Sequence, residues 1–508
     1  MLYLFAMRKL LSIFFFLACS HLNAQPIVQT QSGKISGTML SDGIQIFKGV
    51  PFAAPPVGEL RWKAPQPVKP WTDVKACTAY GASPMQGTPA PFGPWTWGYL
   101  IPKEPISEDC LYLNVWSGAK NGKEKRPVLV WIYGGGFSSG GSGCAIYDGE
   151  AMAKQGIIFV SINYRVGIFG FFAHPELTKE SGRNASGNYG LMDQAAALQW
   201  VQNNIAAFGG DPGNITIAGQ SAGSMSVHAM VATPLTKGLF HKAIAQSGAI
   251  VTRGNATLKD AEQDGARLAA GASLAQLRTL PAEELMKKNG SVRGPIIDGY
   301  VLPQQIADIF AQNKENNVIL MTGWNQDEGM VFGPAQNADN YRTGMGKQFG
   351  KDSAMALRYY PGSTDEEAAR SALYLSRDQI FGMPNYIWAR DQATKNRKVY
   401  VYRFTRKVPA TGEYAKYGAF HTGEVPYAYN NLKSGDRPYE PDDQALADLM
   451  SSYWVNFVKH GDPNAKGMPH WPLFSNDTKT VMVLDLKPMA APMTDAENLN
   501  WLYETMKK

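Results

Sequence analysis

The chain has 508 residues, 44% of them hydrophobic and 18% charged, which is enough apolar content for a large core and excludes a disordered chain. Its formal charge of +6 includes no long Lys/Arg run, which argues against a nucleic-acid partner. None of its four cysteines is spaced as a metal ligand, so no metal or cofactor is implied.

Residues 1–24 read as an export leader. Arg8 and Lys9 precede the apolar run 10–18, and small Ala24 offers a cleavage point before Gln25. The expected location is periplasmic or secreted, with a lipid anchor at Cys19 as the alternative. The run is too short to span a bilayer, and no later stretch approaches 18 apolar residues. Past the leader, Cys77, Cys110 and Cys144 allow one disulfide and one free thiol. Cys77 with Cys110 is the favoured pair, because it closes a loop rich in Pro, Gly and aromatics for roughly 3 to 4 kcal/mol. Cys144 then reads as small buried filler.

Residues 28–38 alternate polar and apolar side chains around Gly33 and predict a hairpin at a domain edge. A different pattern follows. The runs 128–132 and 157–162 are continuously apolar and of strand length, as in strands buried on both faces of a parallel sheet. The runs 215–218, 243–245, 318–321 and 399–402 continue the series. Between them, residues 191–206 place Leu191, Ala195, Leu198, Val201 and Ile205 on one helix face, and a second helix is predicted after Ser221. Strands alternating with helices imply an α/β sheet. No repeat or low-complexity linker divides residues 25–508, which read as a single domain. The stretches 255–310 and 337–397 look like helical insertions capping the carboxyl edge of the sheet, where α/β proteins hold ligands.

Gly219-Gln220-Ser221-Ala222-Gly223 fits G-x-S-x-G between a strand and a helix. Such a turn needs glycines where a Cβ would clash, and it lifts the serine hydroxyl to the top of the sheet. Trp131-Ile132-Tyr133-Gly134-Gly135-Gly136-Phe137 ends an earlier strand in three glycines, whose N–H groups can approach a substrate oxygen. With the Ala222 N–H they make a candidate oxyanion hole.

A serine hydroxyl needs a base to take its proton. On an elbow of this kind the partners follow in the order serine, acid, histidine. That excludes His21 and His174 and places His228 and His241 too early, which leaves His421, His460 and His470. The last two sit in turns that read as surface, so His421 is the preferred base. For the acid, the strand ending near Thr322 runs into Gly323-Trp324-Asn325-Gln326-Asp327-Glu328-Gly329, where Asp327 and Glu328 compete on spacing alone. Asp298, in Pro295-Ile296-Ile297-Asp298-Gly299, reads as a turn residue.

These residues together resemble the type-B carboxylesterase family, the α/β-hydrolase group that includes the cholinesterases. Further matches are Phe47-Lys48-Gly49-Val50-Pro51-Phe52-Ala53, Ser107-Glu108-Asp109-Cys110-Leu111-Tyr112-Leu113-Asn114-Val115, Asn163-Tyr164-Arg165 and Gly209-Gly210-Asp211-Pro212. The resemblance implies an α/β-hydrolase fold, a mostly parallel central sheet flanked by helices, with helical insertions over an active-site gorge. It implies that Glu328, in an Asp-Glu-Gly segment, is the acid. It also implies that His421, ahead of Glu424-Val425-Pro426, is the base, and that Gly135, Gly136 and Ala222 are the oxyanion donors. It supports the Cys77–Cys110 pairing and suggests Trp95, Trp97 and Tyr99 as a substrate rim. Arg61 with Glu108, and Arg165 with Asp193, look like the family's structural ion pairs.

One position departs from the pattern: Gln220 stands where the family usually has Glu, which removes a negative charge beside the reacting centre. Cholinesterase activity is therefore not expected. The implied activity is hydrolysis of a small-molecule or carbohydrate-linked carboxylic ester through Ser221, His421 and Glu328. An amidase or a lactonase could use the same residues, and a non-catalytic binding module on the same fold is the rival from another class.

Overall fold

The structure, a computed structural model, describes residues 25–507 apart from 253, 289–291, 293 and 331–336. The leader and Cys19 lie outside the described residues. Ile27–Thr30 pairs antiparallel with Gly33–Ser36, forming the expected hairpin, and Lys75–Ala76 joins them in a small three-stranded sheet.

An 11-stranded sheet forms the centre. From one edge to the other its strands are Met489–Pro492, Thr480–Leu484, Val399–Phe404, Ile319–Asn325, Lys242–Gln246, Gly210–Gln220, Arg126–Ile132, Ile158–Ile162, Tyr112–Ser117, Gln45–Pro51 and Thr38–Met39. From Thr480–Leu484 to Ile158–Ile162 every neighbouring pair is parallel, and the outer pairs are antiparallel. The apolar runs of the sequence fall inside these parallel strands. Val128, Leu129, Val130, Trp131 and Ile132 are fully buried, as strands covered on both faces must be.

Helix Tyr189–Asn204 turns Leu191, Leu198 and Val201 into the core, and a short 3₁₀ turn followed by Gly209 at φ +84° ends it. Both predicted insertions are helical. Leu258–Ala269, Leu274–Thr279, Ala282–Met286 and Ile306–Ala311 lie in the first. Ala338–Phe349, Ser353–Tyr359, Asp365–Arg377 and Met383–Thr394 lie in the second, with a π turn at Asp378–Gly382. The first is moored by Arg61, whose guanidinium donates to the carbonyls of Leu277, Arg278 and Leu280 at 2.8 to 3.1 Å while pairing with Glu108. Arg165 grips Asp193 through two bonds of 2.8 Å.

The chain runs from Arg126–Ile132 to Ile158–Ile162 on one side and returns to Gly210–Gln220 on the other. That reversal opens a crevice beyond the carboxyl ends of the central strands, the place where open α/β sheets bind ligands. Gly134 to Gly136 and Ser221 stand at those ends.

The expected Cys77–Cys110 disulfide is not formed: Cys77, Cys110 and Cys144 are free, buried thiols. Cys77 follows an edge strand, with its sulfur facing the Gly49 carbonyl at 3.9 Å. Cys110 is walled in beside Arg61, Glu108 and Arg165. Loop length measures only the entropy a crosslink would remove; a bond also requires the two Cβ atoms to converge, and sequence spacing says nothing of that.

Candidate active site

Ser221 sits between the strand Gly210–Gln220 and the helix Ala222–Ala232, at φ +59° and ψ −126°, a conformation that L residues rarely adopt. The flanking glycines are sterically required. A Cβ on Gly219 would overlap the Gly223 carbonyl, and one on Gly223 would overlap the carbonyls of Ile132 and Tyr133. The helix therefore packs against the neighbouring strand end as well as its own, which fixes where the hydroxyl emerges.

The glycine loop lies directly against this turn. A Cβ on Gly134 would come 2.5 Å from the Gln220 carbonyl and 2.9 Å from Ser221 Cβ. Gly135 and Gly136 follow with φ +118° and +63°, both exposed to solvent. Among the described residues, the N–H groups of Gly135, Gly136 and Ala222 form no hydrogen bond, leaving three donors unspent beside the serine.

Glu328 and His421 come together from loops that follow two neighbouring strands. His421 Nδ1 is 2.9 Å from Glu328 Oε2, and the other carboxylate oxygen accepts the Asn325 N–H at 2.8 Å. Both side chains are buried. The bond to Glu328 places the imidazole proton on Nδ1 and leaves Nε2 as an acceptor. Phe381, carried on the π turn, stacks on the imidazole at 4.2 Å, and Trp95 meets it edge-on at 6.3 Å. The Gln220 amide nitrogen is 3.1 Å from Nε2 and 3.4 Å from Nδ1. Among the described residues, the Ser221 hydroxyl has no hydrogen-bond partner.

Asp327, the rival acid, points elsewhere: its Oδ2 accepts the Ala419 N–H at 2.9 Å. Asp298 is a turn residue whose Oδ1 accepts the N–H groups of Tyr300 and Leu302. The other described histidines are occupied or remote. His174 caps a helix, His228 and His241 accept backbone N–H groups, and His460 and His470 are exposed. Burial pushes His228 down to about 3.

A second carboxyl, Glu424, is buried nearby, with Asn325 Nδ2 at 2.5 Å and Gln246 Nε2 at 3.1 Å. Burial, and then the Glu328 charge, push it up to about 7.

The rim aromatics separate. Trp95 is beside His421 and donates to the Thr422 hydroxyl at 3.2 Å. Trp97 is exposed under Lys103, whereas Tyr99 is buried against Phe420 with its hydroxyl 3.2 Å from that of Tyr439. Tyr99 pins the loop rather than lining its opening. Phe92, 58% exposed and packed on Trp95 at 4.7 Å, takes the outer position. Sequence reasoning passed over Phe92 and Phe381. The turn Phe92-Gly93-Pro94-Trp95 carries a local signal for the first; nothing local marks the second, which is brought in by a helical turn of the insertion.

A mostly parallel sheet between helices, with a serine elbow at its carboxyl edge, defines an α/β hydrolase. The sequence profile described as the Carboxylesterase family matches residues 24–501, and the chain belongs to that family. It is 37% identical to fumonisin B1 esterase of Sphingopyxis macrogoltabida, over 88% of this chain and 84% of that one. Para-nitrobenzyl esterase of Bacillus subtilis (strain 168) is 36% identical, over 90% and 94%. Liver carboxylesterase 1 of Oryctolagus cuniculus is 33% identical, over 95% and 94%. The chain is a carboxylic ester hydrolase acting on small-molecule esters.

Proposed function

We propose that the chain hydrolyses its ester through an acyl-enzyme formed on Ser221. Ser221 Oγ attacks the carbonyl carbon and passes its proton to His421 Nε2. Glu328 holds the imidazole tautomer and balances the imidazolium, and the N–H groups of Gly135, Gly136 and Ala222 receive the oxyanion. His421 then protonates the departing alcohol oxygen. Water, activated by the same imidazole, releases the acid and restores the serine.

The observation that supports this reading best is the 2.9 Å contact between His421 Nδ1 and Glu328 Oε2, with the imidazole 3.1 Å from the Gln220 amide, one residue before the strained Ser221. Catalytic hydrogen bonds tighten when substrate binds. In the cycle, the Ser221 hydroxyl donates to Nε2, the acceptor that the Gln220 amide now faces.

The test is a pair of measurements on one protein. Organophosphate should label Ser221 stoichiometrically, and Ser221→Ala should abolish hydrolysis of a chromogenic short-chain ester. Near wild-type turnover by that variant would remove the assignment. A panel of p-nitrobenzyl esters, fumonisin B1, acetylated and feruloylated oligosaccharides, amides and lactones then ranks the leaving groups. The two bacterial relatives' names make the first two its natural starting points. Export to the periplasm or medium is part of the same proposal, checked by finding the mature amino terminus at Gln25.

A further inference from the structure

The loops carrying Glu328 and His421 are fastened to each other by more than the bond between those two side chains. Asp327 donates its N–H to the Ala419 carbonyl at 3.1 Å, and its Oδ2 accepts the Ala419 N–H at 2.9 Å. Two bonds thus close on one residue, two positions before His421. Asn325 adds a third, from Nδ2 to the Phe420 carbonyl at 2.8 Å. Gly418 completes the fit with φ +60°, and a Cβ there would overlap the Asp327 carboxylate.

The two sides of this clasp differ. The acid loop is held independently. The Gln326 N–H donates to the Phe404 carbonyl at 2.9 Å, and the Gln326 carbonyl accepts from Arg377 at 3.0 Å. The base loop follows Gly412–Tyr417, a 3₁₀ turn with no buried residue. A buried histidine that follows such a solvent-facing turn takes its position from whatever secures the residues between them.

We propose that Asp327 is a positioning residue for hydrolysis: through the Ala419 backbone it keeps His421 in register with Glu328. This rests on the triad reading above. The imidazole has to meet a carboxylate on one nitrogen and the serine on the other, and a displacement of about 1 Å costs on the order of 100-fold in rate. The task needs an oxygen acceptor at position 327 and no charge, which distinguishes it from the task of Glu328.

The experiment compares Asp327→Ala and Asp327→Asn in the full chain, with a p-nitrophenyl short-chain ester and with competent sites counted by organophosphate labelling. Asp327→Ala should lower kcat per labelled site by about 10- to 100-fold with little change in KM. It should also shift or broaden the downfield Nδ1 proton resonance of His421. Asp327→Asn keeps an oxygen for the Ala419 N–H and should restore most of kcat and the resonance. Unchanged kcat per labelled site in Asp327→Ala, or an Asn variant as slow as the Ala variant, overturns the proposal. Ester hydrolysis by wild-type protein that takes up no label at Ser221 is a different failure: it removes the triad itself, and this role with it.

Discussion

Glu328 and His421 meet at 2.9 Å inside the protein, where the Glu328 side chain is 0% exposed and the His421 side chain 5%. The adjacent Asp327 spends its carboxylate on a backbone N–H instead. Two neighbouring acids thus face different partners, and substitution should separate them. Glu328→Gln should lower kcat by on the order of 10³ to 10⁴, since an amide no longer stabilises the imidazolium or its tautomer. Asp327→Asn should stay within about tenfold of wild type, because its amide oxygen still reaches Ala419. Steady-state kinetics on one ester decides it, and the reverse ranking would mean the carboxylate roles are exchanged.

Gln220 offers a neutral amide 3.1 Å from the imidazole. A carboxylate there would favour the protonated ring, and a protonated ring cannot act as base. Only the neutral ring can accept the serine proton, so Gln220→Glu should move the acid limb of the kcat/KM profile to higher pH by about one unit or more. An unmoved limb would place the amide outside the field of the base.

Gly134 tests the fit between the glycine loop and the serine turn. In Gly134→Ala the new methyl meets the Gln220 carbonyl at 2.5 Å and Ser221 Cβ at 2.9 Å. The variant should lose about 1 to 3 kcal/mol of stability by overpacking. Turnover should fall by on the order of 100-fold as the elbow shifts. Chemical unfolding and kcat measured on the same sample provide the check.

The three described cysteines should behave as inert thiols. Burial pushes Cys77 up to about 11, Cys144 up to about 12 and Cys110 well above the usual thiol range. Thiolate is the reactive form, so a chromogenic disulfide reagent should modify none of them in native protein near pH 8 and all three after unfolding. Reductant should leave the unfolding midpoint unchanged. A reductant-induced drop would show a crosslink.

The parts of the site that depend on short-range patterning could be read from the residues. Parallel strands appear as unbroken apolar runs because both faces are covered, and the serine turn as glycines flanking a serine between a strand and a helix. His421 emerged by elimination because so few histidines follow the elbow. The choice of Glu328 over Asp327 needed the family resemblance, since adjacent carboxylates look alike in a sequence and differ only in what faces them. The same limit explains the remainder. The stacking of Phe381 on His421, the inward turn of Tyr99 and the absence of a bond between Cys77 and Cys110 depend on how segments distant along the chain are brought together. No local periodicity encodes which of two nearby side chains turns toward a third.

The backbone at Ser221 has a thermodynamic consequence of its own. Holding a non-glycine residue at φ +59° and ψ −126° costs on the order of 1 to 3 kcal/mol. Glycine would escape that cost, and the extra freedom it gives the unfolded chain offsets only about 0.4 to 1 kcal/mol. Ser221→Gly should therefore be a dead enzyme that resists denaturation better than the living one, a sign that durability has been exchanged here for chemistry.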